Sequence, residues 1–236
     1  MRIVAVVPCY NEKGKIGRVV EKTRKADVFE LVVVDDASDD GSGEEAKAAG
    51  ATVLRHARVL GVGAAIRTGI DHALGKGADV VVVMAGNDKD DPTEIPKLVE
   101  PITRGFDYVQ GSRYRAGGRS GKMPLHRVIL TRAYPWLVRV ITGFPITDAT
   151  NGFRAIKASF LQDPRVKLHQ EWLNRGELEY YLQIKALTLG FKFCEVPVTK
   201  IYPNITQYSQ YTKVRPFVDW FGNLRPIVYL TLGLKD

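Results

Sequence analysis

Three clusters of polar side chains follow short apolar runs. Tyr10, Asn11 and Glu12 follow residues 2–7 (RIVAVV), and Asp35 and Asp36 follow residues 30–34 (ELVVV). Asn87, Asp88, Lys89, Asp90 and Asp91 follow residues 80–84 (VVVVM). Carboxylates and amides in such places suit three kinds of chemistry: accepting hydrogen bonds from a base or ribose, holding a hard cation, or taking a proton. A fourth set is cationic. Between Asp107 and Asp148 there is no acidic residue, while Arg113, Arg115, Arg119, Lys122, Arg127, Arg132 and Arg139 fall inside the interval. These seven charges nearly account for the net charge of +8 and make a block that attracts phosphate, whether of nucleic acid, anionic lipid or a phosphorylated substrate.

Alternating strands and helices must position these groups. Apolar runs predict strands over residues 2–7, 30–34, 52–54, 80–84 and 107–110, and helical spacing predicts helices over 14–25, 42–49, 61–74 and 92–103. That alternation implies parallel βαβ units with right-handed crossovers. All three polar loops then lie along the carboxyl edge of one sheet, where open α/β folds bind ligands. Gly61, Gly63, Ala64 and Ala65 permit close backbone packing of their helix. Beyond Gln110 the pattern changes: residues 111–121 are rich in glycine and arginine, and residues 126–142 form an amphipathic helix studded with arginine. A loop at 148–154 enters a strand, a helix covers 177–189 and a strand covers 192–196. The tail from Lys213 mixes Phe217, Trp220, Phe221 and Leu224 with Lys213, Arg215 and Arg225, so it suits either a membrane interface or the protein's own sheet.

The chain has 236 residues, 45% hydrophobic and 25% charged, as ordinary globular proteins have. Cys9 and Cys194 cannot build a disulfide framework and fit a reducing compartment. The first residues read as a strand rather than a signal peptide. No run approaches the roughly 18 apolar residues that span a bilayer. The expectation is a cytoplasmic protein, with the inner face of a membrane as its candidate attachment surface.

Six stretches then fall into one pattern: VVPCYNE (6–12), VVVDDASDDG (32–41), GVGAAIRTG (61–69), the strand and loop at 80–92, GSRY (111–114) and TDATNGFR (147–154). Over residues 2–202 the chain resembles family 2 glycosyltransferases of the GT-A fold, most closely the dolichol- or polyprenyl-phosphate mannose synthase branch. The resemblance implies a Rossmann-like three-layer α/β sandwich with a mostly parallel sheet, a domain over 1–204 and an amphipathic tail over 205–236. It implies an inverting transferase that takes a sugar from a nucleotide-diphospho-sugar. By motif position, Pro8, Tyr10, Glu12, Val34 and Asp36 would meet the nucleotide. Arg113, Arg127 and Thr131 would hold a lipid-phosphate acceptor. Two guanidinium forks and a hydroxyl suit a phosphate dianion. A dianion needs no general base, whereas a saccharide hydroxyl would require one, with Asp148 as first candidate ahead of Glu177 and Glu179.

The chain departs from this pattern in the loop after residue 84. The resemblance implies an Asp-x-Asp with a polar ligand two residues on, holding Mg²⁺ or Mn²⁺ against the diphosphate; here those positions are Ala85, Asn87 and Lys89. Either Asp88, Asp90 or Asp91 supplies a relocated metal site, or Lys89 replaces the ion as a fixed charge, aided by Lys200, Lys213 or Arg215. The arginine implied after the EVPV strand is also missing: Pro203 or a neighbour stands there, and Lys200 is the substitute. Three rival readings are a non-catalytic nucleotide-sugar-binding relative, a nucleic-acid-binding protein and a dinucleotide-dependent dehydrogenase. The nucleic-acid reading is disfavoured by the lack of a stacked-aromatic RNA motif. The dehydrogenase reading is the weakest, because GVGAAI lacks a third glycine and follows the third strand and a loop rather than opening the first βα turn.

Overall fold

The computed structural model describes residues 1–123, 125–202 and 218–235. Pro203, Lys213, Arg215 and Phe217 lie outside the described residues. Seven strands form one sheet: β1 (Ile3–Cys9), β2 (Glu30–Asp35), β3 (Thr52–Arg55), β4 (Val80–Val83), β5 (Tyr108–Ser112), β7 (Arg154–Lys157) and β8 (Phe193–Pro197). Their order is β3-β2-β1-β4-β7-β5-β8. All pairs are parallel except those of β7, which runs antiparallel to β4 and β5. Two short strands, β6 (Arg119–Ser120) and β9 (Thr199–Lys200), pair separately beside the main sheet.

The valine runs are continuous because both faces of the sheet are covered. Successive side chains point to opposite sides. Val4, Val6, Val32, Val34, Val81 and Val83 thus join one core, and Ala5, Val7, Val33, Val80 and Val82 join another. The first core is closed by α3 (Val62–Gly75), α5 (Leu125–Thr142), α7 (Glu177–Thr188) and α8 (Val218–Thr231). The second is closed by α1 (Ile16–Thr23), α2 (Ser42–Ala48) and α4 (Ile95–Thr103); a short helix α6 (Ala158–Leu161) follows β7. The result is the expected three-layer α/β sandwich. From the expected tail, α8 packs on α7 and places Ile227 in the core.

Two features set up the site. The chain steps outward from β1 to β2 and β3, then crosses back to β4 on the other side of β1, which opens a crevice between the loops after β1 and β4. The antiparallel β7, which the sequence pattern does not distinguish from a parallel strand, delivers its leading segment to the same edge. Residues 147–151 therefore join the crevice rather than the far end of the sheet.

Helix α3 lies very close to β1 because it has no side chain at Gly69. A Cβ there would come 2.2 Å from Val6 Cγ1, whereas one at Gly75, on the same helix, meets nothing within 4 Å. Gly69→Ala is expected to destabilise by about 1–3 kcal/mol through overpacking, and Gly75→Ala to be neutral or stabilising by about 0.5–1 kcal/mol through helix propensity. Urea denaturation of the two variants measures the contrast.

Candidate functional site

On the β1–β2 side of the crevice, the loops brace one another. Asn11, at φ +50°, donates its N–H to Ser38 Oγ (3.0 Å), and Glu12 donates its N–H to Ser42 Oγ (2.7 Å). Glu12 is nearly buried, 2.7 Å from Lys15 Nζ. Asp36 is buried, and its carboxylate accepts the N–H groups of Leu60 (2.9 Å) and Gly61 (2.8 Å) and meets His56 Nδ1 at 2.7 Å. His56 Nε2 in turn lies 3.0 Å from Thr68 Oγ1. Asp36 thus fixes the wall formed by residues 56–61; whatever it offers a ligand is capacity left over from that task. Tyr10 is exposed and Pro8 half-buried, so both present surface to the crevice mouth. The Val34 side chain is in the core, which leaves only its main chain to face a ligand.

Across the crevice, the loop after β4 is acidic in sequence but cationic in space. Asp88, at φ +57°, turns away to Arg18 Nε (2.8 Å) and Lys22 Nζ (2.7 Å) on α1. Asp90 is buried against Lys200 Nζ at 2.5 Å. Asp91 caps the turn at Pro92–Glu94 through Thr93 N (3.1 Å) and Oγ (2.7 Å). None of the three faces a shared point where an ion could sit, and no group of three metal-ligating side chains occurs among the described residues. The positions expected to hold the ion carry a methyl, an amide and an ammonium, a donor set that does not fit a hard divalent cation. Asp88, Asp90 and Asp91 are each committed to a partner on a different part of the chain.

Lys89 instead is 5% exposed, with Nζ 5.0 Å from the centroid of the Tyr202 ring. Arg127 Cζ lies 5.7 Å from the same ring. Burial, then the charges of Lys200 and Arg127, hold the Lys89 ammonium well below the usual lysine range, against the opposing pull of Asp90 and Glu12. Asn87 Oδ1 is buried with no hydrogen-bond partner among the described residues. Lys200 also donates to Asn151 Oδ1 (3.1 Å), and the N–H of Ile201 donates to the Lys89 carbonyl (2.9 Å), so β9 and the segment before β7 clamp the loop. Tyr202 and Asn151 were not singled out from the sequence, although Asn151 stands within the TDATNGFR stretch; the signal for Tyr202 was polarity beside a strand end.

The third wall holds the expected acceptor residues. Asp148 is fully buried, and Arg113 engages it by main-chain N–H (3.0 Å), Nε (2.7 Å) and Nη2 (2.7 Å). This pair raises the Arg113 pKa further despite its burial. Glu195 anchors the loop from below by accepting the N–H groups of Thr147 and Asp148, each at 2.9 Å. Burial raises the Glu195 pKa while these bonds oppose the rise. Thr131, on α5, bonds Tyr114 Oη at 2.6 Å and its own helix carbonyls. Arg113, Arg127 and Thr131 thus gather around Tyr114 and Tyr202, although the Arg113 fork is turned onto Asp148.

Known proteins resemble the chain in sequence and in fold. The model of the family described as Glycosyl transferase family 2 matches residues 4–163. The chain is 31% identical over 208 residues to the undecaprenyl-phosphate mannosyltransferase of Micrococcus luteus, covering 84% of this chain and 83% of that protein. It is 29% identical over 205 residues to the polyprenol monophosphomannose synthase of Mycolicibacterium smegmatis, covering 84% and 77%. Its fold matches a crystal structure of glucosyl-3-phosphoglycerate synthase from Mycobacterium tuberculosis, in complex with Mn²⁺, UDP-glucose and phosphoglyceric acid, with a TM-score of 0.70 at 19% identity, over 100% of this chain and 81% of that one.

The buried ammonium has a consequence for stability. A lysine whose pKa is lower folded than unfolded destabilises the native state at neutral pH, and the penalty fades as pH rises from the folded toward the unfolded value. Lys89→Met is therefore expected to raise the ligand-free melting temperature at pH 7, with the gain shrinking toward pH 10. Scanning calorimetry across that range checks both the sign and the trend.

Proposed function

Because the chain belongs to glycosyl transferase family 2, we propose that it moves a sugar from a nucleotide-diphospho-sugar to a polyprenyl phosphate, with inversion at the anomeric carbon. A phosphate oxygen of the acceptor forms the new bond to that carbon while the bond to the donor's β-phosphate oxygen breaks. The nucleoside diphosphate leaves from the opposite face with the electron pair. The nucleotide would lie against Pro8, Tyr10, Glu12 and Asp36, and the acceptor phosphate against Arg127, with Arg113 and Thr131 beside it.

The observation that carries this reading is the state of the carboxylates. A hydroxyl acceptor needs a base to take its proton, and each of the three candidates already faces an arginine. Asp148 is locked by Arg113, Glu179 pairs with Arg154 at 2.9 Å, and Glu177 is buried 3.4 Å from Arg225 on α8. A phosphate monoester, with a second pKa near 6, arrives already deprotonated. The relatives named above also carry polyprenol or undecaprenyl phosphate in their names.

A lipid acceptor calls for a membrane surface, and α5 has one to offer. Leu125, Ile129, Trp136 and Val140 are between 58% and 74% exposed and recur at helical spacing, with Arg132 and Arg139 exposed beside them. Thr131, Tyr134 and Val138 on the other side are buried. An apolar stripe flanked by arginines suits the headgroup region of anionic lipid. No helix among the described residues is long and apolar enough to cross a membrane.

Labelled sugar supplied as UDP- and GDP-sugars should appear in polyprenyl phosphate and not in soluble saccharides, with the rate rising through pH 6 to a plateau; transfer to a saccharide hydroxyl alone sinks the proposal. Flotation with phosphatidylglycerol vesicles should capture the wild type. Because the residues are exposed, Ile129→Glu with Trp136→Glu should abolish capture while leaving the melting temperature unchanged.

A further inference from the structure

We infer that a fixed cluster of protein cations, centred on Lys89, takes the place of a divalent metal ion in binding the donor diphosphate, so that nucleotide binding and transfer proceed without metal. The inference rests on the nucleotide-sugar donor of the proposed function and adds the means by which its diphosphate is held.

The geometry supplies the first argument. Lys89 lies in the switch-point crevice, in the loop that follows β4, and shares the Tyr202 ring with Arg127. Lys200, 2.5 Å from Asp90, completes the group from β9. The carboxylates that act on Lys89 are Asp90 and Glu12. Each already has a second cation, Lys200 for Asp90 and Lys15 for Glu12. Lys200 and Arg127 thus act on Lys89 from the same side of the charge balance, in a place where Lys89 and Lys200 are both nearly buried. Burying like charges together is unfavourable unless an anion completes the set. A diphosphate, with two or three negative charges, is that anion.

The second argument is compensation. A divalent ion held by two carboxylates contributes no net charge, whereas Ala85, Asn87 and Lys89 together contribute +1. Losing both carboxylates removes the repulsion that an empty metal site would exert on a diphosphate, and gaining the lysine restores attraction. The remaining acids of the loop do not reverse this, because Asp88 and Asp90 are paired to cations and Asp91 caps a turn.

The third observation is Asn87, whose buried Oδ1 lacks a partner among the described residues. Amide oxygen and nitrogen exchange places by a flip, and the flipped side chain directs an N–H donor to the same spot. An unpartnered amide position on half-buried Asn87, at the head of this loop, suits a phosphate oxygen once the side chain is flipped. As the anomeric bond breaks, negative charge builds on the leaving diphosphate, and preorganised cations stabilise it there as an ion would.

Calorimetric titration with UDP and GDP, in excess EDTA and again with added Mn²⁺, tests the inference. The wild type should bind one of them with the same affinity in both solutions. Lys89→Gln should weaken binding in EDTA roughly ten- to hundredfold, the worth of a charge-assisted hydrogen bond, and Lys89→Arg should restore most of it. The triple variant Ala85→Asp/Asn87→Asp/Lys89→Gln should bind only when Mn²⁺ is present. Wild-type binding that vanishes in EDTA and returns with Mn²⁺ overturns the inference while leaving the donor class intact. A Lys89→Gln variant that binds as tightly as the wild type in EDTA overturns it too, and needs no triple variant to fold. Failure of both nucleotides to bind in either solution overturns the inference and the proposed function together.

Discussion

The contact on which the site depends is the buried ion pair between Asp90 and Lys200. It joins the loop after β4 to the strand β9, 110 residues away in sequence, and through Asn151 to the segment before β7. Three chain segments that approach the crevice from different parts of the sheet are thereby held at one point. A buried pair of this kind contributes little net stability, because desolvation of both groups offsets their attraction. Its value is positional. Removing either partner would leave a charge stranded at the floor of the crevice, so the pair fixes which way the loop faces. With Asp90 held inward and Asp88 drawn outward to α1, the intervening Lys89 is left pointing at Tyr202.

That arrangement explains what could be read from the sequence and what could not. Strands β1, β2 and β4 were legible because valine runs buried on both faces have few alternatives, and their polar ends marked the ligand edge. The loop chemistry was legible only as composition. Five polar residues after β4 looked like an acidic cluster, yet each carboxylate has a partner on a different element: Arg18 and Lys22 on α1, Lys200 on β9, and the local turn for Asp91. Such partners are set by tertiary packing, to which periodicity is blind. Asp148 shows the same limit. As a lone acid beside a basic interval it was a fair candidate base, but Arg113, 35 residues earlier, occupies it completely. The antiparallel sense of β7 was hidden because a four-residue strand carries no sign of its direction.

The acid-free interval lies in two environments. Arg113 and Arg127 point inward, one neutralised by Asp148 and the other beside Tyr202, whereas Arg132 and Arg139 stay exposed on α5 next to its apolar stripe. One helix thus borders the crevice with its buried side and, under the proposed function, would offer lipid its exposed side. An acceptor whose phosphate is polar and whose chain is apolar needs both surfaces a few residues apart. Absence of acids along the whole interval suits both at once, since a single carboxylate would weaken the phosphate site on one side or repel anionic lipid on the other.

A lysine in place of a metal ion would change what the site responds to. An ion brings its charge only when bound, so affinity for the diphosphate follows the metal concentration, and the empty carboxylates repel the ligand. A lysine is always present, but burial beside other cations puts its proton at risk. Glu12 and Asp90 oppose that loss from either side of the crevice, and a bound diphosphate would oppose it more strongly, because an adjacent anion favours the charged form. Ligand and proton would then bind together, each raising the other's affinity by linkage. Under that inference the site would respond to pH rather than to metal. The crowding of Lys89 and Arg127 around the Tyr202 ring in the ligand-free state would then be relieved when the anion arrives.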